Sequence, residues 1–207
     1  MPKGTEMGER INLDEIERRA YLSYHEDGLI DIVLGIGLFI ASLWAYVEMI
    51  WLMGGMIASL TPMYMGMKKK YTFPRIGEVT FSKDRTRRSQ NSMTFLVIIN
   101  VIGVLGGLVF WMAFSGDTRP QWILLMIDNF PVVLGIAGGV IWAVVAYLTD
   151  LTRFYRYSVA TLVVIGSANF ITTPFIAHMI LLSVIVMMSG WLQFQSFKGK
   201  YPKIEEN

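Results

Sequence analysis

The sequence predicts an all-α integral membrane protein: six transmembrane helices in three hairpins, with a short cytoplasmic extended ribbon between spans 2 and 3. Three observations carry that prediction. Of the 207 residues, 54% are hydrophobic and 16% charged, where a soluble domain carries about 25% charged residues. The apolar residues fall in blocks that reach or exceed the roughly 18 that mark a membrane span. Basic residues crowd into alternate connecting segments, as the positive-inside bias requires when the number of spans is even.

Residues 1–28 are polar at first, with no apolar stretch of signal-peptide type, and are read as a cytoplasmic N-terminal amphipathic helix rather than a cleavable leader. Within "NLDEIERRAYLSYHE", Asn12 and Glu15 are spaced as a capping box, and Leu13, Ile16, Ala20 and Tyr24 form an apolar stripe. Residues 29–67 are one apolar run, which as a single helix would be about 58 Å long at ~1.5 Å per residue. The hydrocarbon core is only about 30 Å thick, so the run folds back as the first transmembrane hairpin. A reversal at Tyr46 to Glu48 gives two spans of nearly equal length and puts Glu48 in the far headgroup region, among Trp44, Tyr46 and Trp51.

Residues 68–94 form a basic cytoplasmic loop. Its "YTFPRIGEVTF" reads as the extended ribbon, because Pro74 and Gly77 are set among β-branched and aromatic neighbours. Residues 95–148 are the second hairpin. "FLVIINVIGVLGGLVFWMAF" is its first span, "WILLMI" an interfacial lead-in, and the fourth span begins near Asn129, a plausible N-cap before Pro131. Residues 149–157 are a cytoplasmic loop and 158–197 the third hairpin, broken at Thr173-Pro174. Residues 198–207 are a cytoplasmic tail. With that layout 17 of the 18 basic residues lie on one side, leaving Arg119 opposite. The chain is therefore expected in the cell membrane with both termini cytoplasmic.

At "DGLIDIVLGIGLF" and "YTFPRIGEVTFSKD" the chain resembles an uncharacterised group of small prokaryotic multi-pass membrane proteins. These carry a D-G-x-x-D start to the first span and a P-R-I-G-x-V ribbon after the second. The resemblance covers about the first 90 residues. It implies the multi-pass architecture and no particular activity.

Ionisable residues inside a membrane are functional candidates by default. Asp27 and Asp31 are four apart and share a helix face with Gly35 at the cytoplasmic start of the first span. Two readings are open: carboxylates favoured by the helix N-terminus and facing Lys68 to Lys70, or a cation- or proton-binding site. Glu48, Asp128, Asn169 and His178 map to the outer half from different spans. They are either ordinary polar rims or an outward-facing polar pocket. Lys68, Lys69, Lys70, Arg75, Arg85, Arg87 and Arg88 are expected on anionic lipid headgroups rather than nucleic acid, because they are juxtamembrane cations. Gly103 and Gly107, like Gly135 and Gly139, are spaced for close helix packing, either third span against fourth or as a homo-oligomer face.

No catalytic constellation is visible. Two histidines and no cysteine make no zinc-type ligand set. "GSANF" with His178 lacks the G-x-S-x-G turn and oxyanion donors of a serine hydrolase. No phosphate-binding loop is present, so no metal or cofactor is expected. The sequence leads to a small transporter or channel for an ion or small solute. A membrane scaffold recruiting a partner or anionic lipid is the alternative, and a lipid-active intramembrane enzyme the third.

Overall fold

The computed structural model describes residues 21–49, 53–77 and 120–202, with side chains given from residue 59 onward in the second of these segments. All regular structure among the described residues is helical. The expected N-terminal amphipathic helix over residues 1–20, most of the basic loop including Arg85, Arg87 and Arg88, and the expected third span with Gly103 and Gly107 lie outside them.

Residues 21–25 are helical, then the chain breaks at 26–28 before helix α1 (Leu29–Tyr46). Two features make that break. Gly28 takes a left-handed φ of 64°, which costs glycine nothing. Asp27 Oδ1 then accepts the Leu29 N–H at 3.2 Å and satisfies one free donor of the new helix. α1 ends at Tyr46, and Glu48 turns the chain with a φ of 60°. The return helix α2 (Met53–Met67) passes directly into a π-helical turn, Lys68–Thr72, and a last turn, α3 (Phe73–Ile76).

The extended ribbon is therefore corrected as far as Ile76: Lys68 to Ile76 is helical. Pro74 sits in the first turn of α3, where its missing N–H is not needed. Gly77, at φ 85°, ends the helix instead of shaping a ribbon.

After Pro120 come a short α4 (Gln121–Asp128) and α5 (Phe130–Thr149), with Pro131 in its first turn. Asn129 holds the N-cap position, but its side chain makes no capping bond and donates to the Leu125 carbonyl instead. Asp150 takes a left-handed φ of 56° and closes α5. Helix α6 (Arg153–Ser167) starts almost at once, so residues 153–157 are its first turn and not the loop expected there. Pro174 precedes α7 (Phe175–Lys200), and Pro202 follows its end.

Among the described residues, three helical stretches are long and apolar enough to cross a membrane: Tyr21–Tyr46, Phe130–Thr149 and Phe175–Lys200. α2 and α6 have 15 residues each and alone reach only about 22 Å at ~1.5 Å per residue. α1 lies along α7 and α5 along α6; α6 touches α7, and α2 packs on α1. Phe154, Tyr157, Ile165, Leu182 and Val186 form the main core, with Leu29, Ile32 and Phe194 in a second cluster. Outward-facing Val140, Val163 and Leu192 are 56–64% exposed, which is the apolar exterior that a lipid-facing surface requires.

Glycines set the closest approaches. A Cβ on Gly190 of α7 would lie 2.7 Å from the Ile32 nitrogen and 2.8 Å from the Gly28 carbonyl oxygen. Gly135 and Gly139 of α5 face Gly166 and Leu162 of α6, so this stripe serves a contact within the chain.

Candidate functional site

The first turn of α1 needs a cap, and Asp27 supplies it. Its second oxygen, Oδ2, accepts the Thr72 hydroxyl at 2.6 Å and lies 2.8 Å from Lys68 Nζ. Lys68 and Thr72 both come from the π-helical turn, a feature often found at functional positions. Lys68 also donates to the Tyr24 carbonyl and sits 3.6 Å from the centre of the Tyr24 ring. Both members of the Asp27–Lys68 pair are only 1% exposed.

One turn further into α1, Asp31 is fully buried. Arg153, the first residue of α6, places Nε at 3.3 Å from Asp31 Oδ2. The same guanidinium spends Nη1 on the His25 carbonyl and on Gln193 Oε1 of α7, both at 2.7 Å. Tyr157, one turn along α6, faces Asp31 and donates to Ser189 Oγ at 2.9 Å. Neither Asp31 oxygen accepts a hydrogen bond among the described residues, and Arg153 Nε and Nη2 make none either.

The two carboxylates differ in kind. Asp27 is a saturated structural acceptor, holding a backbone N–H, a hydroxyl and an ammonium. Asp31 has one cation beside it and hydrogen-bonding capacity left over. A charge buried without full compensation is held against a cost of several kcal/mol, so such a group is the one whose charge state or partner has most reason to change.

An open cavity of about 270 Å³ adjoins this network. His25, Glu26, Asp150, Arg153, Arg156 and Gln193 line it. Glu26 is tied across its rim to Lys200 at 2.7 Å. Arg153 therefore touches the cavity and Asp31 at once.

The sequence-predicted residues are distributed as follows. Asp27 and Asp31 belong to one network, but each has a different cation. Lys68 is corrected as a lipid-headgroup contact: it is buried against Asp27, because a carboxylate already inside the bundle makes burial of that ammonium favourable. Lys69 and Lys70 are exposed. Arg75 donates to the Tyr201 carbonyl at 2.7 Å and pins α3 to the end of α7.

At the opposite end of the helices, Glu48 and Asp128 are exposed. Asn169 reaches Asn129 at 3.4 Å, and His178 is buried between the Pro174 carbonyl and Thr173. Arg153, Thr72, Tyr157 and Gln193 were not singled out from sequence. The spacing Arg153, Tyr157, Thr161 marks one face of α6 and was the available signal, since all three are buried.

Compared with known proteins, the chain matches no family model, no curated protein and no solved structure.

Proposed function

We propose that this chain is a polytopic membrane protein that moves a small ion or solute across the cell membrane, with Asp31 and Arg153 at its working site. The observation that supports this reading is the Asp31 carboxylate: fully buried, faced by a single guanidinium nitrogen at 3.3 Å, and accepting no hydrogen bond among the described residues. An ionisable group inside a membrane is costly and is retained where it acts. A second support is the π-helical turn that carries Lys68 and Thr72 to Asp27, the kind of irregularity found where helices rearrange.

The same reading places six spans in three hairpins. The paired network and its cavity then lie at the cytoplasmic end, and the Asn129, Asn169 and His178 rim lies outside. The chain has no cysteine, so single introduced thiols report sidedness directly. Asp117→Cys is expected to react with a membrane-impermeant reagent from outside, and Arg85→Cys only from the cytoplasm. The reverse pattern overturns the orientation.

Function is tested by flux into proteoliposomes. Asp31→Asn keeps the volume and removes the charge. It is expected to abolish flux while the amount of inserted, folded protein is unchanged. Full flux in Asp31→Asn removes the residue from the site. No flux in either protein favours a scaffold whose basic face holds anionic lipid or a partner.

A further inference from the structure

Resting on that reading, we propose that the open cavity is the cytoplasmic vestibule to Asp31, that the Arg153 side chain is the plug between them, and that Asp31 takes up a proton through it.

The geometry of the plug comes first. Asp150, Arg156 and Gln193 line the cavity together with Arg153, and Asp31 does not. Arg153 is the residue that belongs to both places, 93% buried, with Nε toward Asp31 and Nη1 on His25 and Gln193. Behind it, one turn deeper on each helix, lie Tyr157 of α6 and Ser189 of α7, joined by their own hydrogen bond. A species arriving from the cavity meets Arg153, then Asp31 and this hydroxyl pair.

The chemistry of the acceptor selects the species. A dehydrated metal cation wants about six or more oxygen ligands, whereas this position offers one carboxylate with two hydroxyls nearby. One carboxylate suffices for a proton. On protonation the Asp31 carboxylate gains an O–H and loses its charge, so the attraction to Arg153 falls. Arg153 keeps its bonds to His25 and Gln193 and can turn toward Glu26 and Asp150 on the cavity wall. The other titratable groups around Asp31 frame this exchange: Arg156 and the neutral Tyr157 on α6, and Asp27 on its own segment, itself neutralised by Lys68 of the π-helical turn.

The test uses the full chain reconstituted in vesicles and a water-soluble thiol reagent applied from the cytoplasmic side. Thr152→Cys, on the cavity wall, is expected to react in every background. Ser189→Cys, a small change behind the plug, is expected to be protected while Asp31 and Arg153 are intact. With Asp31→Asn and Arg153→Gln both added, its rate is expected to rise on the order of tenfold, since thiol reaction follows access. The double change removes both charges together and so avoids leaving one buried alone.

Equal reactivity of Ser189→Cys in the two backgrounds, or protection in both, overturns the vestibule and plug. The proton is tested by infrared difference spectra across a pH titration. A protonated-carboxyl band present in the wild type and absent in Asp31→Asn is expected. A band unchanged by that substitution, or slowing of the thiol reaction by sodium or potassium at constant pH, overturns the proton assignment. Neither readout requires flux, so loss of the transport reading and loss of this one are separately visible.

Discussion

Lys68→Met is expected to destabilise the folded chain by about 3–5 kcal/mol, because it leaves a buried carboxylate without its cation. Asp27 and Lys68 are each 1% exposed and 2.8 Å apart, so no water is at hand to take over. The lost ammonium also held the Tyr24 carbonyl and ring, which joins residues 21–25 to the π-helical turn. The check is equilibrium unfolding of the purified chain in mild detergent. Adding Asp27→Asn to Lys68→Met is expected to restore most of the loss. A buried pair removed as a unit is often close to neutral, whereas a pair broken on one side is not. The asparagine oxygen still accepts from Thr72 or the Leu29 N–H. An equal loss in the single and double variants would assign the effect to packing over Tyr24 instead of charge.

Gly190→Ala is expected to cost about 1–3 kcal/mol, and more if α1 and α7 cannot slide, as for any overpacked contact. The added carbon would lie 2.7 Å from backbone nitrogen of Ile32 and 2.8 Å from backbone oxygen of Gly28. Neither atom belongs to a flexible side chain, so two helices must separate. The added carbon would also lie 2.8 Å from Asp31 Cβ, so the variant is expected to disturb the Asp31 site as well as the fold. Gly166→Ala is the control, with nothing within 4 Å of its new carbon. Replacing a helical glycine whose added carbon meets no neighbour by alanine is neutral or stabilising by up to about 1 kcal/mol. Thermal unfolding midpoints of the two variants measure the difference. Equal midpoints would show that the α1–α7 contact is looser than its glycines require.

The membrane class and the positions of the helix ends at Tyr46 and Pro174 were determined by the sequence alone. Both follow from one-dimensional quantities: the length of an apolar run against the thickness of a bilayer, and the breaking power of proline. Asp27 and Asp31 were legible for the same reason, as charges standing where an apolar span begins. The partner of Asp27 was legible in one of the two readings, which set the carboxylates against Lys68 to Lys70, although nothing in the sequence singled out Lys68 from Lys69 and Lys70. The partner of Asp31 was not: Arg153 read as a solvated loop residue. The ribbon at Tyr71 to Ile76 was misread because Pro74 and Gly77 signal a break without saying whether it starts a helix or ends one. The outer polar residues were grouped by depth, yet contact also requires neighbouring helices. That brought Asn169 to Asn129 and left Glu48 and Asp128 exposed. Tertiary structure decided these points through the choice of helix neighbours. Gly28 and Gly190 let the backbones of α1 and α7 meet, and α6 then sets its first residue against Asp31. An ion pair acts over a few ångströms, and residues as far apart in the chain as Asp31 and Arg153 come within that range only after the helices have packed.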